Sequence, residues 1–429
     1  MAERSRGMDR SEAVVVGGGI LGLSAALHLL EAGVPSVRLL ERDGLCEGTT
    51  GAGGGFLAPW TVISPLHGPD SPMKPIERYG MEFYAKLHAD GHDVDYRRNG
   101  VLWVTAMGPV RDWDLVRTLP KDVADPERLF AVERGKLAEL TGGFLTADGV
   151  HNVYFMPSGA QVTTGKAGAA LAERIRGRGG VIDTRRPVTG IHVRDGKVTG
   201  VGTATGDIEC DLVVTAAGAW SNALLEPLGV YLPGVPQVTS RIITEDLGLP
   251  DTTPIVFLQG LMPDEPGGGT LLWVRWHDGG LLWGGQYHTF PRDLLVGAVV
   301  PDRLDEMPLD GILENLRVAT AARFLPSLAK PSSIRVRHGV PCYTPDNLAL
   351  VGAVPGIDGL YAMGGDNELG VIHGPGFAKV LADHIVHGTS DLADWTPWRL
   401  DRFGGRYTNP REAFAGLQEF LGALAGSAE

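Results

Sequence analysis

A glycine-rich hexapeptide, GGGILG at residues 17–22, constrains the fold of this chain more than any other segment. It follows the apolar run Ala13–Val16, which predicts a short buried strand, and it precedes apolar residues at helical spacing that stop at Gly33. A second apolar run, Val37–Leu40, ends at Glu41. Glycines in the pattern G-x-G-x-x-G between a strand and a helix, with an acid about 20 residues later, predict a dinucleotide-binding βαβ unit.

Each position of this motif has a physical reason. Gly17 permits a tight turn, Gly19 lets the backbone approach a pyrophosphate, and Gly22 lets the helix pack close to the strand. The helix N-terminus offers free N–H groups to the phosphates. Glu41 can accept hydrogen bonds from both hydroxyls of a ribose, which argues against NADP. The motif alone does not distinguish NAD from FAD.

The composition of the 429 residues limits the possible partners. A net charge of −13 argues against binding to the negatively charged phosphate backbone of a nucleic acid. Cys46, Cys210 and Cys342 are far apart, so they indicate neither a disulfide framework nor a metal site, and a reduced cytoplasmic protein is the simplest interpretation. No apolar run approaches the ~20 residues that a membrane span needs.

Three later segments bear on the cofactor. The glycine-rich loop at residues 48–59 supplies backbone donors of the kind that a diphosphate requires. Residues 211–220 predict a buried strand that ends in a turn of small residues. Residues 359–365 lead through a loop to Gly374-Pro375-Gly376, after which a helix is expected from about Phe377 to Val386.

Together with TPD at residues 344–346, these segments resemble the family of FAD-dependent amine and amino-acid oxidoreductases, which includes D-amino acid oxidase and dehydrogenase, glycine oxidase, sarcosine oxidase and dimethylglycine dehydrogenase. The resemblance runs from Ala13 to about Phe403. It implies an α/β fold in which a mostly antiparallel β-sheet substrate domain is inserted into a Rossmann-like FAD-binding domain. The expected FAD domain comprises residues 12–90, 150–225 and 335–403, the substrate domain residues 91–149 and 226–334, and a C-terminal helical tail residues 404–429. Strands at residues 101–105, 240–245, 270–276 and 280–287 suit the inserted sheet.

The resemblance also implies roles toward FAD. The Val188 backbone would contact adenine, and residues near Gly339 and residues 370–372 would border the flavin ring. Covalent attachment in some relatives uses a cysteine whose position falls here on Gly339, so FAD is expected to bind non-covalently. The candidate cofactor-binding residues are Gly17, Gly19, Gly22, Glu41, Arg42, Thr49, Thr50, Gly54, Gly55, Phe56, Val188, Ala217, Gly218, Trp220, Gly339, Gly365, Gly370, Val371 and Ile372.

The family reaction moves a hydride from the carbon next to an amine to the flavin and gives an imine that water hydrolyses. The YHTF segment at residues 287–290 is similar to sarcosine oxidase, so His288 is the candidate catalytic residue, although a structural histidine is an equal alternative. Trp273 and Trp283 could line the pocket, but the sheet core suits them better. The candidate substrate-binding residues are Arg275, Tyr287, Tyr343, Glu368 and His373.

Several positions depart from the family pattern. Ile372 stands where sarcosine oxidase has a carboxylate-binding lysine, and Glu368 stands near the carboxylate-binding arginine of glycine oxidase. A larger amine, an N-methyl amine or an amino acid held by an arginine from elsewhere therefore remain open as substrates. Leu282 and Gly284 lie where an oxygen-activating lysine is expected, which leans toward a dehydrogenase with another electron acceptor. Oxygen stays open as the acceptor, because some oxidases lack such a lysine.

Other classes of function compete with amine oxidation. An FAD-dependent dehydrogenase of 2-hydroxy acids or polyols could use the same fold. An NAD-dependent dehydrogenase would share the opening βαβ unit, but it would be colourless when purified. A non-catalytic flavin-binding partner protein would hold FAD that no small molecule reduces.

Overall fold

The computed structural model describes residues 9–59, 71–106, 130–259, 272–285, 300, 303–304, 322, 324–326 and 333–426. The α-helices in these ranges are α1 (Ile20–Ala32), α2 (Met73–Ala89), α3 (Leu137–Leu140), α4 (Thr164–Gly177), α5 (Ser221–Leu225), α6 (Gly370–His387) and α7 (Pro410–Gly426). The strands are β1 (Asp9–Arg10), β2 (Ala13–Val16), β3 (Val37–Leu40), β4 (Phe56–Leu57), β5 (Val101–Ala106), β6 (Phe130–Ala131), β7 (Val150–Met156), β8 (Ala160–Gln161), β9 (Val181–Asp183), β10 (Val188–Arg194), β11 (Lys197–Thr203), β12 (Ile208–Glu209), β13 (Leu212–Thr215), β14 (Val235–Pro236), β15 (Thr239–Thr244), β16 (Ile255–Gln259), β17 (Leu272–His277), β18 (Gly280–Gly285), β19 (Ile334–Gly339), β20 (Cys342–Tyr343), β21 (Leu350–Ala353) and β22 (Leu360–Gly364).

A six-stranded sheet in the order β21-β22-β13-β2-β3-β9 forms the first layer of the fold. All its neighbouring strands run parallel except β21, which is antiparallel to β22. β2 is apolar throughout, β13 is apolar except for Thr215, and both strands are buried, as expected for central strands covered on both faces. The C-terminal ends of β2, β3, β13 and β22 therefore meet along one edge, and the predicted Rossmann-like α/β class is confirmed.

Helices α1, α4, α6 and α2 cover one face of this sheet. α1 packs against α6 and α4, and α6 packs in turn against α2. Buried leucine and alanine side chains of α1, such as Leu23 and Leu27, fill the space between the helices and the sheet. On the other face, a smaller sheet in the order β1-β12-β11-β10 packs through Ile191 and Val201.

The helix expected at residues 377–386 is longer at its N-terminus than the sequence indicated, because α6 begins at Gly370 and contains Pro375. Proline has no N–H, so it cannot donate to the carbonyl four residues earlier, that of Val371. The hydroxyl of Tyr84, on α2, donates to the Val371 oxygen instead, at 2.9 Å. A tertiary contact therefore replaces the missing bond, and the helix continues through the proline.

The second layer is an eight-stranded sheet in the order β19-β15-β18-β17-β16-β5-β7-β6. It is antiparallel except where β16 runs parallel to β5, and it contains the strands expected at residues 101–105 and 240–245. The expected domain limits differ from this arrangement in two places. Val150–Met156 and Ile334–Gly339, which were assigned to the FAD domain, both pair in the eight-stranded sheet. The chain crosses between the sheets after these strands rather than before them.

The C-terminal helix α7 packs Ala413 and Leu417 against Val235. No helix among the described residues is long and apolar enough to cross a membrane.

The contact between α2 and α6 gives the first prediction. A Cβ built on Gly80 would overlap the carbonyl oxygen of Ile372, whereas one built on Gly165, in α4, would meet open space. We expect Gly80→Ala to lower the free energy of unfolding by about 1–3 kcal/mol, because the backbones must separate. Gly165→Ala should raise it by up to ~1 kcal/mol through helix propensity. Urea unfolding of both variants tests this, and equal stabilities would contradict the close approach.

Candidate functional site

A long groove follows the C-terminal edge of the six-stranded sheet; we call it the edge groove. Its cavity volume of about 320 Å³ lies at the lower end of the ~300–1,000 Å³ range of small-ligand pockets, and the groove is open to solvent. The candidate cofactor-binding residues that line it are Gly17, Gly19, Glu41, Arg42, Thr49, Thr50, Gly54, Val188, Ala217, Gly218, Trp220, Gly365, Gly370 and Val371.

The glycine turn after β2 sets the floor of the edge groove. Gly17 has φ +114°, a left-handed conformation that favours glycine. A Cβ on Gly22 would overlap the Gly17 carbonyl oxygen, so the missing side chain allows α1 to pack directly on the turn. A Cβ on Gly19 would meet only the Thr50 hydroxyl, at 3.1 Å, so that the α1 N-terminus stays open toward the groove. The Ile20 N–H at this end donates to the Thr50 hydroxyl at 3.0 Å, and the remaining N–H groups of the first turn are suited to a pyrophosphate.

Glu41 connects the glycine turn to the end of β3. Its carboxylate accepts hydrogen bonds from the Gly18 N–H at 2.6 Å and the Asp43 N–H at 2.8 Å. The same side chain lines the edge groove. Each carboxylate oxygen can accept more than one hydrogen bond, so Glu41 keeps acceptor capacity for ribose hydroxyls.

Arg42 and Trp220 form a stacked pair close to Glu41, with the guanidinium carbon 4.5 Å from the centre of the indole ring. The Trp220 Nε1–H is buried and has no acceptor among the described residues. Buried donors are normally satisfied, so this one fits a ligand that brings its own acceptor. We call the part of the groove around Glu41, Arg42 and Val188 the β3 end.

Five candidate cofactor-binding residues lie behind the lining of the groove. Phe56 packs its ring on Trp273, and Ile372 is buried between α6 and α2. Gly339 contacts the Thr49–Ala52 turn, Gly55 lies against the Val162 backbone, and Gly22 faces Gly17. The structure thus places Gly22, Gly55, Phe56, Gly339 and Ile372 in supporting positions.

The opposite end of the edge groove contains a partly buried ion pair. Arg241, on β15, lies 3.3 Å from the Glu368 carboxylate, measured from Nη2 to Oε1. The Arg241 side chain is 7% exposed and lies over the Trp273 ring at 4.7 Å. We call the region around Arg241, Glu368 and Gly370 the α6 end, since the α6 N-terminus opens into it.

The loop before α6 is held in an uncommon conformation. Asn367 and Glu368 have φ values of +52° and +71°, and such consecutive left-handed non-glycine residues often mark functional sites. The Asn367 side chain fixes the loop by accepting from the Thr344 N–H and donating to the Gly365 carbonyl. Burial raises the pKa of the neighbouring Asp366 to about 6.

Two candidate substrate-binding residues lie away from the edge groove. Arg275 is 1% exposed, and its Nε and Nη1 donate to the carbonyls of Gly54 and Trp276, which gives it a structural role rather than that of a carboxylate clamp. Burial lowers its pKa to about 10. His373 points into the contact between α6 and α2, where its Nε2 lies 3.3 Å from the Glu77 carboxylate.

The other candidates fall differently. Tyr343 forms a hydrogen bond with Glu368, and burial followed by that carboxylate raises its pKa, so the phenol stays protonated. Trp283 lies in the core of the eight-stranded sheet. Tyr287 and His288 lie outside the described residues. Arg241 and Asp366 were not among the candidates. The available signal for Arg241 was a charged residue in a predicted strand, directly before Ile242 and Ile243, since charges are rarely buried without a role.

The profile of a family described as "FAD dependent oxidoreductase" matches residues 12–384. The chain belongs to the FAD dependent oxidoreductase family. This match selects FAD over NAD and confirms that the chain is an oxidoreductase enzyme.

Three curated relatives are similar in sequence to this FAD dependent oxidoreductase. It is 29% identical to 4-methylaminobutanoate oxidase (formaldehyde-forming) of Paenarthrobacter nicotinovorans, covering 96% of this chain and 48% of the relative. It is 28% identical to mitochondrial dimethylglycine dehydrogenase of Homo sapiens, covering 96% and 46%. The chain thus spans about half the length of these relatives. Glycine oxidase of Pseudomonas aeruginosa is matched nearly end to end, at 29% identity over 90% of this chain and 97% of the relative.

Solved structures share the fold. L-proline dehydrogenase from P. horikoshii superposes with a TM-score of 0.75 at 20% identity, covering 92% of this chain and 98% of that one. Glycine oxidase from Geobacillus kaustophilus gives a TM-score of 0.74 at 20% identity, covering 92% and 99%.

The residues of the edge groove fit FAD in one direction. The α1 N-terminus lies above β2, with β3 on one side and β13 and β22 on the other. A pyrophosphate at α1 with its adenosine ribose on Glu41 would place the flavin ring beyond β2, at the α6 end. Cys46 and Cys342 line the groove, but burial raises the pKa of each thiol to about 12, and a neutral thiol is a poor nucleophile. We therefore expect FAD to be bound non-covalently.

The role of Glu41 gives the second prediction. Glu41→Gln should weaken FAD binding roughly 10-fold or more, since hydrogen bonds to a charged acceptor are worth about 1.5–3 kcal/mol. Flavin fluorescence during titration of the flavin-free protein measures the change. Glu47→Gln is the matched control, because Glu47 lies on the same loop and accepts from the Gly44 N–H. Equal affinities, or flavin that stays attached after acid precipitation, would contradict this description.

The raised pKa of Asp366 gives the third prediction. The unfolded chain releases this proton near pH 4 and the folded chain near pH 6, so the stability that the neutral acid contributes is lost as the pH rises through 6. Between pH 5 and pH 7.5 the free energy of unfolding of the flavin-free protein should fall by about 1 kcal/mol more than that of Asp366→Asn. Urea unfolding at both pH values measures this, with Asp195→Asn, in an exposed turn, as the control. If the stability of Asp366→Asn changed with pH as much as that of the parent protein, the prediction would be wrong.

Proposed function

We propose that this oxidoreductase oxidises a carbon–nitrogen bond of an amino acid or of a secondary or tertiary amine to an imine, or for a tertiary amine to an iminium ion, which water then hydrolyses. When bound, FAD accepts the hydride. The Arg241–Glu368 pair at the α6 end of the edge groove carries this proposal, because it offers one cationic and one anionic group beside the place expected for the flavin ring.

Arg241 can bind a substrate carboxylate. Its Nη1 donates to the Ser240 carbonyl and its Nη2 faces Glu368, while the buried Nε has no acceptor among the described residues. An arginine fork binds carboxylates in a bidentate geometry. Trp273 beneath the guanidinium limits its orientation. By binding the substrate carboxylate, Arg241 would provide the amino-acid recognition that Glu368 and Ile372 cannot supply.

Glu368 can bind the substrate amine. Its carboxylate is 23% exposed and accepts from Arg241 and from the protonated Tyr343 phenol. Hydride can leave the adjacent carbon only when the nitrogen lone pair is free, so the ammonium proton must first be removed. A Glu368 oxygen that contacts the amine would accept this proton. The same contact orients the carbon toward the flavin ring.

The names of the relatives support an N-methylated substrate. Both 4-methylaminobutanoate and dimethylglycine contain an N-methyl amine and a carboxylate. This chain corresponds to about half of each relative's length, so the support concerns the part that is matched. A secondary or tertiary N-methyl amino acid would satisfy Arg241 with its carboxylate and Glu368 with its amine.

Oxidation of a 2-hydroxy acid is the second candidate, because Arg241 would bind its carboxylate equally well. A neutral hydroxyl would interact with Glu368 less strongly than an ammonium group does.

As electron acceptor we propose a molecule other than oxygen. Arg42 and Arg241 are the basic side chains among the described residues that line the groove, and neither is a lysine. The cytoplasmic location and the absence of a nucleic-acid partner stay predictions.

Anaerobic reduction of the bound flavin tests the proposal and is the fourth prediction. N-methyl amino acids should bleach the flavin absorbance, whereas the matching amines without a carboxylate should do so at least 10-fold less efficiently. Arg241→Lys should lose that preference through a higher KM, and Glu368→Gln should lower the rate at neutral pH with recovery at higher pH. Arg337→Lys, on the neighbouring strand β19, is the control. Bleaching by 2-hydroxy acids alone would replace amine oxidation with the second candidate.

A further inference from the structure

One face of α2 contacts the first turn of α6. Glu77, Gly80 and Tyr84 follow each other at spacings of three and four residues, so they lie along one side of the helix. Each contacts a different residue of α6: Glu77 lies beside His373, Gly80 against the Ile372 carbonyl, and Tyr84 on the Val371 carbonyl. Those three consecutive residues form the first turn, which opens into the edge groove at Gly370 and Val371.

The bond from Tyr84 serves a carbonyl that the helix itself leaves unpaired. Val371 would normally accept from the residue at position 375, and Pro375 has no hydrogen to donate. Tyr84 is fully buried, and burial raises the pKa of its phenol, so the hydroxyl remains a donor. Without it the Val371 carbonyl would be buried and unsatisfied, which costs enough to make the turn tilt or admit water.

Glu77 and His373 provide a second attachment of the same turn. Both side chains are buried, at 1% and 2% exposure, and their polar atoms lie 3.3 Å apart. A buried carboxylate is costly unless it is paired, so this contact fixes the rotation of the turn about the helix axis. Neither Tyr84 nor Glu77 is among the residues that line the edge groove.

We propose that Tyr84 and Glu77 are positioning residues for the flavin ring. They hold the first turn of α6 so that its free N–H groups point into the α6 end of the edge groove. A helix N-terminus carries partial positive charge and stabilises nearby negative charge within one turn. The direction in which this turn points its N–H groups therefore sets the reduction potential of bound FAD. The proposal depends on FAD binding and not on the identity of the substrate.

The reduction potential of the bound flavin tests this proposal. In the holoenzyme, Tyr84→Phe should lower the equilibrium constant for two-electron reduction roughly two- to tenfold, a fall of about 9–30 mV at 29.6 mV per tenfold. Equilibration with a reference dye measures it. The control is Thr141→Val, which removes a buried hydroxyl that donates to the Leu137 carbonyl in α3, and it should lose stability without a change in potential.

A double variant separates positioning from general loss of structure. Pro375→Ala restores an N–H that can donate to the Val371 carbonyl, so Tyr84→Phe/Pro375→Ala should recover the potential of the parent. Amide hydrogen exchange at residues 370–374 should rise in Tyr84→Phe and fall back in the double variant. If Tyr84→Phe alone does not fold, the double variant is compared with Pro375→Ala, and equal potentials are expected. An unchanged potential in folded Tyr84→Phe, or a double variant that stays shifted, would overturn the proposal.

Discussion

The contact between the Gly17 carbonyl and the first turn of α1 is the constraint on which the site depends. With no side chain on Gly22, α1 packs directly on the turn that ends β2, and its N-terminus opens at the C-terminal edge of the sheet. Glu41 then ties the same turn to the end of β3. From these backbone contacts and the strand order we infer where a pyrophosphate would lie and on which side each half of FAD would lie.

The two ends of the edge groove have different chemistry because different elements form them. The β3 end comes from the βαβ unit and the strand β10, and it offers a carboxylate for a ribose and an Arg42–Trp220 stack. At the α6 end, β15 of the eight-stranded sheet meets the loop before α6, and the two bring Arg241 and Glu368 together. The glycine turn and Glu41 are therefore close together in the chain, whereas the proposed substrate recognition is assembled across both sheets.

This difference explains which features the sequence could predict. The strands Ala13–Val16 and Val37–Leu40 and the helix between them follow from short-range pattern and turn chemistry, and the structure has them at the expected residues. Arg241 and Glu368 are 127 positions apart, so no local pattern links them. Arg241 and Arg275 both lie in buried strands, and only the packing of the sheet shows that one lines the groove while the other binds backbone carbonyls. The start of α6 was misplaced for the same reason, since Tyr84 compensates for Pro375 from another helix.

The orientation of FAD in the edge groove is the central claim, and a crystal structure of the flavin-bound protein tests it most directly. Our description predicts the adenosine ribose on Glu41, the pyrophosphate at the N-terminus of α1, and the flavin ring between the first turn of α6 and Arg241. A flavin ring at the β3 end, or a ring separated from Arg241 and Glu368 by other protein groups, would contradict it.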